Sequence, residues 1–170
     1  MSFKETMRRV FTRKYIITLV ILVSVILVIN LWLAGVYIIS GSSMQPTMDS
    51  GNVVFVNKLA DAYRRFDIVI IKTPDSRIVK RVIGLPGDTV QIKDGYVCIN
   101  GDQIDDVVSE KTEFAGTAFQ PLTLGEGEYF VLGDNREESK DSRYEDIGVI
   151  KQEQIGGRVV FSVMPPKRFK

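Results

Sequence analysis

The sequence predicts a mainly β protein that follows a single N-terminal transmembrane helix. Apolar, β-branched runs recur after residue 52, and turn dipeptides such as Asp94-Gly95 and Asn100-Gly101 separate them. Before these runs, residues 15–39 form a stretch of 25 residues without a charge. No amphipathic helical period appears elsewhere. These patterns together favour a β-rich domain tethered to a bilayer.

The uncharged stretch, residues 15–39, is long enough to cross a membrane, since about 20 apolar residues span the bilayer core. A cleaved signal peptide is the alternative, but its apolar region would hold only about 7–15 residues. Residues 1–14 carry five basic residues and one acidic residue. Basic flanks stay cytoplasmic, so we expect a cytoplasmic tail at 1–14, a transmembrane helix at 15–39 and an extracytoplasmic domain at 40–170.

The strands of that domain are predicted from alternation and β-branched composition. They fall at residues 53–56, 68–71, 78–83, 90–92, 96–99, 129–132 and 159–163. Residues 103–127 are polar and lack a clear period, which predicts a loop or small subdomain inserted around residues 91–127. The single cysteine, Cys98, lies in a strand-like run and is expected to be a buried thiol.

The overall charge and the absence of histidine limit the possible functions. The net charge of +1 combines +4 in residues 1–14 with −3 in the rest of the chain, which indicates no nucleic-acid-binding surface. Without histidine, Ser-His-Asp and Cys-His mechanisms and most histidine-based zinc sites are excluded. An enzyme with a nucleophile must therefore use lysine, aspartate or glutamate as its base.

Residues 40–47 (SGSSMQPT) come directly after the predicted membrane span. At about 3.3 Å per extended residue, Ser43 would lie only about 13 Å beyond Ile39. A reactive group at this position would meet its substrates at the bilayer surface. A polar turn that merely ends the span is the alternative.

Lys80 lies in the predicted strand 78–83, on the same face as Ile78 and Val82. Burial among apolar neighbours would favour its neutral amine and lower its pKa, and a neutral amine can act as a general base for serine. The alternative is an edge-strand lysine that extends to water.

Residues 133–143 (GDNREESKDSR) follow the predicted strand 129–132 and combine acids, arginines and hydroxyls. Such a segment can form a hydrogen-bonded loop that orients other groups, or it can be a solvated charged turn. The spacing of a calcium-binding loop is absent, so no metal is expected.

The order and spacing of these three segments resemble those of the bacterial type I signal peptidases, particularly the short Gram-positive forms with one membrane anchor. Residues 41–47 resemble the G-x-S-M-x-P-T box of that family. Residues 80–88 (KRVIGLPGD) resemble its K-R-x-x-G-x-P-G-D box, and residues 133–143 resemble its G-D-N-x…S-x-D-S-R box. The resemblance covers essentially the whole chain.

By this resemblance, Ser43 is the nucleophile and Lys80 is the general base that deprotonates it. Ser139 would orient the lysine amine through a hydrogen bond. Asp141 and Arg143 would form a supporting ion pair near the site.

The resemblance further implies that the backbone N–H groups of Ser43 and Gly41 stabilise the oxyanion. It implies an all-β fold of two antiparallel sheets and no cofactor. The implied substrates are exported preproteins at the lipid bilayer, cleaved after small residues, typically Ala-x-Ala, to release the signal peptide.

The sequence departs from the family at two places. Phe66 replaces the glycine of an R-G-D-I-V box, and residues 144–148 (YEDIG) replace an aromatic-Gly pair. The 44 residues between Asp88 and Gly133 leave room only for a small subdomain.

Other functions remain open at this point. A peptidase of the same family could be dedicated to pilins or a few exports, and a degenerate member could be a non-catalytic membrane-tethered β module. The presence of both Ser43 and Lys80 argues against the second. The self-cleaving repressors also use Ser/Lys chemistry, but they lack a membrane span.

Overall fold

The computed structural model describes residues 3–74, 76–108 and 111–168. A long helix, α1 (Phe3–Leu33), leads into the first strand, β1 (Ala34–Ile38). The later strands are β2 (Val53–Asn57), β3 (Ile68–Lys72), β4 (Arg77–Gly84), β5 (Thr89–Lys93), β6 (Tyr96–Ile99), β7 (Asp102–Gln103), β8 (Leu122–Thr123), β9 (Glu128–Leu132), β10 (Ile150–Lys151), β11 (Ile155–Met164) and β12 (Lys167–Arg168).

These strands form two antiparallel sheets, as the family resemblance implies. In the larger sheet the order is β1-β2-β11-β3-β4-β9-β10, with β12 paired to β11. The smaller sheet has the order β7-β6-β5-β8. Each predicted strand overlaps an observed one, because β-branched runs carry a clear signal. The strands that the sequence analysis misses are β1, which it assigns to the membrane span, and the two-residue strands β7, β8, β10 and β12.

Buried apolar side chains form three clusters. One lies between the two sheets and joins side chains of β4 and β9 to those of β5 and β6. The second covers one part of the larger sheet and includes Met44 and Met48 from the loop between β1 and β2. The third packs Val69, Val82 and Val131 from the three adjacent strands β3, β4 and β9. The free Cys98 thiol is buried, as predicted.

The predicted membrane span and the structure differ at the C-terminal end of that stretch. Helix α1 ends at Leu33, and residues 34–38 are strand β1, which pairs with β2 in the register Ala34–Asn57 to Ile38–Val53. Backbone pairing with a neighbouring strand decides the outcome here, and local hydropathy cannot report it. Among the described residues, no helix is both long enough and apolar enough to cross a membrane. Apolar side chains of α1 between Tyr15 and Val28 are exposed.

The turn that joins the two sheets contains the glycines and the aspartate of the KRVIGLPGD segment. A Cβ at Gly84 would lie 2.6 Å from Val90 Cγ2 and 2.7 Å from Leu124 Cδ1, so the close packing of β4 requires glycine. Asp88 accepts hydrogen bonds from Leu85 N–H at 2.7 Å and Asn100 Nδ2 at 3.1 Å. These residues therefore fix the path from the larger sheet into the smaller one.

Candidate active site

Ser43 lies in the loop between β1 and β2. The base of the loop is closed by two backbone hydrogen bonds of 2.8 Å, from Ile39 N–H to Asn52 O and from Gly51 N–H to Ile39 O. Met44 and Met48 insert into the second cluster with 1% and 0% exposure. Because the loop is anchored on both sides of Ser43 by buried groups, this half-buried serine is held in a defined place.

Lys80 lies near the middle of β4, opposite Val69 of β3, and is only 3% exposed. Its Nζ donates a hydrogen bond of 3.0 Å to Ser139 Oγ. The burial predicted from its apolar strand neighbours is confirmed, and the alternative of an edge lysine extending to water is wrong. In the β4–β9 ladder Arg81 pairs with Leu132, the last residue of β9. Lys80 is adjacent to Arg81 in β4 and therefore lies near the point where the chain leaves β9.

Burial lowers the pKa of the Lys80 ammonium from 10.5 to about 8. Loss of hydration is the largest cause, since it disfavours the charged form. The nearby Asp141 carboxylate acts in the opposite direction, and the Arg143 guanidinium lowers the pKa further. A substantial fraction of neutral amine is therefore available in mildly alkaline solution, which free lysine does not offer.

The segment after β9 brings Ser139 and the Ser43 loop together. Asn135 N–H donates to Ser43 O at 3.1 Å, and Ser139 N–H donates to Asn135 O at 2.9 Å. A Cβ on Gly133 would lie 2.1 Å from Ser139 Oγ and 2.4 Å from Ser43 O. Because Gly133 lies between the two serine segments and has no side chain, Ser139, which accepts the hydrogen bond from Lys80, lies close to the backbone of Ser43.

Asp141 and Arg143 form the ion pair that the resemblance implies. Arg143 Nε and Nη2 donate to Asp141 Oδ1 and Oδ2 at 2.8 and 2.9 Å, and both side chains are buried. Asp141 Oδ2 also accepts Gly133 N–H at 2.9 Å, while Arg143 Nη2 donates to Ser139 O at 3.0 Å. The pair therefore holds the backbone on both sides of the site segment.

A second buried ion pair was not singled out from the sequence. Arg81 donates to both carboxylate oxygens of Asp134, at 2.8 and 2.6 Å, and to Thr47 Oγ1 at 3.4 Å. It thus connects β4, the segment after β9 and the serine loop. The sequence held a signal for it, because Arg81 follows Lys80 and Asp134 follows Gly133 within two of the matched boxes.

Gly41 and Phe66 take backbone conformations that bear on the sequence predictions. Gly41 has φ of +95° and open space around its Cα, so it supplies a turn two residues before Ser43. Its role in an oxyanion hole stays a prediction. Phe66, which replaces a family glycine, keeps a glycine-like φ of +73°, while its carbonyl accepts Arg81 Nη1 at 2.9 Å.

Comparison with known proteins places the chain in a family. Residues 12–164 match the family described as signal peptidase, peptidase S26. A signal peptidase I of Bacillus licheniformis is 36% identical over 175 residues, covering 95% of this chain and 94% of its own length. Signal peptidase I T of Bacillus subtilis (strain 168) is 40% identical over 160 residues, covering 86% of this chain and 82% of its own. A crystal structure of a signal peptidase I from Enterococcus faecalis is 38% identical, with a TM-score of 0.47, and covers 57% of this chain and 96% of its own.

The chain belongs to the signal peptidase family, peptidase S26, and is a serine endopeptidase. The identities to Bacillus enzymes over most of the chain agree with the short Gram-positive form that the three boxes predict.

Proposed function

We propose that the protein removes signal peptides from exported preproteins after Ala-x-Ala-like sequences, with Ser43 as nucleophile and Lys80 as general base. The observation that carries this proposal is the buried Lys80 amine, 3.0 Å from Ser139 Oγ, beside a segment whose backbone bonds to Ser43. With no histidine in the chain, this lysine is the base that the site offers.

The chemistry follows from the neutral amine. Lys80 Nζ takes the Ser43 hydroxyl proton while Ser43 Oγ attacks the scissile carbonyl carbon. The resulting oxyanion would be stabilised by the backbone N–H groups of Ser43 and Gly41. Lys80 then gives the proton to the departing amine of the mature protein. Water then hydrolyses the acyl-enzyme: Lys80 takes a proton from the attacking water and gives it to Ser43 Oγ as the acyl–oxygen bond breaks, which releases the signal peptide as an acid and restores the hydroxyl and the neutral amine.

Ser139 and the ion pair would support this cycle without reacting. Ser139 Oγ receives the lysine hydrogen bond and so restricts the amine to one direction. Arg143 holds Ser139 O, and Asp141 holds Gly133 N–H, so the ion pair fixes both ends of the segment that carries Ser139. We assign these residues a positioning role.

The same proposal places the protein at a membrane. The apolar side chains of α1 between Tyr15 and Val28 are not covered by other parts of the described structure, and lipid is the environment that such a surface favours. The basic residues of 1–14 favour a cytoplasmic N-terminus. We propose that the apolar segment starting at residue 15 anchors the chain, with the β domain on the extracytoplasmic side.

Matched substitutions at Lys80 test the base. Guanidinium cannot lose its proton in a protein, so Lys80→Arg keeps the charge but not the chemistry. We expect Lys80→Arg and Lys80→Met both to lose at least the ~10²–10⁴-fold that a general base contributes to kcat/KM. Ser43→Ala serves as the control for loss of the nucleophile. Substantial cleavage of a preprotein by Lys80→Arg would refute the Ser/Lys mechanism.

The pH profile tests the same assignment independently. Since the base must be neutral, log kcat/KM should rise with pH and level off above the Lys80 pKa of about 8. The profile is measured on purified protein with a peptide substrate. An ascending limb near the ordinary lysine value of 10.5 would contradict the effect of burial.

A further inference from the structure

A cavity of about 420 Å³ opens beside the serine loop and is not used by the proposed catalytic groups. It is lined by residues 45–47, Val107, Val108, Asp134 and Asn135. Its volume lies within the range of about 300–1,000 Å³ that is usual for ligand sites. The cavity begins two residues after Ser43, so a chain bound at the nucleophile would extend into it or past it.

The segment that carries Val107 and Val108 is held by a buried arginine, Arg136. Arg136 Nη2 donates to Asp106 Oδ2 at 2.7 Å, and Arg136 Nη1 donates to Thr112 Oγ1 at 3.4 Å. Arg136 Nε donates to Gly133 O at 2.9 Å, which ties the same guanidinium to the segment carrying Ser139. Because Arg136 is only 5% exposed, the segment that bears Val107 and Val108 is fixed relative to the catalytic segment.

The position of the cavity relative to the anchor indicates which part of a substrate it meets. The base of the serine loop, Ile39 and Asn52, adjoins β1 and therefore α1. The cavity adjoins the opposite part of the loop, where Thr47 approaches Arg81 at 3.4 Å. A signal peptide is embedded in the membrane that we propose for α1. Its chain would approach from the base of the loop, and the mature protein would leave past residues 45–47.

We propose that this cavity binds the first residues of the mature protein, directly after the scissile bond, and that Val107 makes it selective. The inference rests on the proposed function. The Asp134 carboxylate is fully engaged with Arg81, so it presents no free charge to a ligand. Two valines, a proline, a threonine and two neutral amide side chains make up the rest of the lining. Uncharged mature N-termini are therefore preferred over charged ones.

Introducing a charge of either sign at Val107 tests the assignment. Val107 is 53% exposed, so Val107→Lys and Val107→Glu leave the core intact. Peptides with identical Ala-x-Ala signal ends carry Lys, Glu or Ser at the first three mature positions. A single charge contact near the surface is worth on the order of fivefold in affinity. We expect Val107→Lys to favour the Glu peptides, and Val107→Glu the Lys peptides, by about that factor in kcat/KM.

Two controls separate the possible outcomes. Phe119→Lys and Phe119→Glu place the same charges at a residue that is 66% exposed and does not line the cavity, and they should leave the ratios unchanged. A signal-peptide series varied five residues before the scissile bond should also be unaffected. Normal cleavage with unchanged ratios at Val107, or a shift only in the signal-peptide series, would overturn the cavity assignment alone. If the unaltered protein cleaves none of the peptides, the proposed function fails and this inference fails with it.

Discussion

Lys80 combines two properties that conflict at the level of a single residue. Its burial lowers the pKa of the amine to about 8, which makes the neutral form available for catalysis. The same burial means that the folded protein carries an unfavourably placed charge whenever Lys80 is protonated. The burial that makes Lys80 a base therefore lowers the free energy of unfolding at pH values where the lysine is protonated.

This conflict predicts a more stable but inactive variant. At pH 7 Lys80 is protonated in both the folded and the unfolded chain, and the pKa difference between 10.5 and about 8 corresponds to roughly 3 kcal/mol against folding. Lys80→Met removes that cost, although it leaves Ser139 Oγ without its partner, so we expect a net gain of about 1–3 kcal/mol in the free energy of unfolding.

The pH dependence distinguishes this effect from better packing. Between pH 8 and 10.5 the folded lysine is increasingly neutral while the unfolded lysine is still charged, so the advantage of Lys80→Met declines and is gone above about 10.5. Denaturant titrations of both proteins at pH 7 and pH 10 provide the measurement. An equal gain at both pH values would show that burial of the charge is not its origin.

Ser139 offers a second prediction at the residue scale, because Ser142 is a matched control. Both hydroxyls are buried, but Ser139 Oγ accepts from Lys80 whereas Ser142 Oγ accepts from Val131 N–H at 3.0 Å. We expect Ser139→Ala to lower kcat by roughly tenfold to a hundredfold, less than loss of the base itself, and to cost about 1–3 kcal/mol of stability because the buried Lys80 amine loses its partner. Ser142→Ala should cost a similar amount of stability, about 1–3 kcal/mol, but leave kcat near that of the unaltered protein. Steady-state kinetics and thermal melts of both variants provide the measurements. Unaltered turnover in Ser139→Ala would show that Ser139 does not position Lys80 for catalysis.

At the scale of elements, the site depends on how the chain leaves β9. Strand β9 ends at Leu132, and Gly133 passes between Ser139 and the backbone of Ser43. Two buried ion pairs, Arg81–Asp134 and Arg143–Asp141, flank this crossing. There is no room for a side chain at position 133. The Ser43 and Ser139 segments can lie this close together only because residue 133 is glycine.

Gly133→Ala is therefore expected to disable the enzyme through geometry alone. The new Cβ would lie 2.1 Å from Ser139 Oγ and 2.4 Å from Ser43 O, which forces the two segments apart. We expect kcat/KM to fall by at least about 10²-fold, in line with the sensitivity of catalysis to misplacement of about 1 Å. The control is Gly125→Ala in the turn before β9, where the nearest atom is 3.1 Å away on the flexible Glu128 side chain. The measurement is kcat/KM for cleavage of a peptide by both variants. Near-normal kcat/KM in Gly133→Ala would mean that the close approach at Gly133 does not determine the geometry of the active site.

At the scale of the whole molecule, the β domain and the apolar N-terminal segment present different surfaces. The domain satisfies its buried polar side chains internally, since no buried side-chain nitrogen or oxygen lacks a partner among the described residues. The helix that precedes it exposes apolar side chains instead. This division is what we expect of a catalytic domain that works on chains emerging at a membrane surface.

The proposed topology is tested by protease accessibility. Protease added to intact spheroplasts should degrade the β domain, beyond residue 40, and spare a tag placed at the N-terminus, because the basic segment 1–14 favours the cytoplasmic side. Detergent lysis is the control and should expose both ends. A protected β domain in intact spheroplasts would contradict the topology and the role in secretion.

The sequence by itself determined the strands with long β-branched runs, the absence of a histidine mechanism and the order of the three boxes. Lys80 could be predicted to be buried because strand alternation places Ile78 and Val82 on its face, and that signal is local. Burial of Cys98 was predictable because it lies in a strand-like run, which is also a local signal.

Only the tertiary structure decided which distant residues meet. Residues 34–38 belong to the same uncharged stretch as the end of the helix before them, and pairing with β2 makes them a strand. The contacts of Gly133 with Ser43, and of Arg136 with Asp106, join positions many residues apart. A sequence pattern reports hydropathy and periodicity along the chain, whereas these contacts depend on how separate strands and loops pack in space.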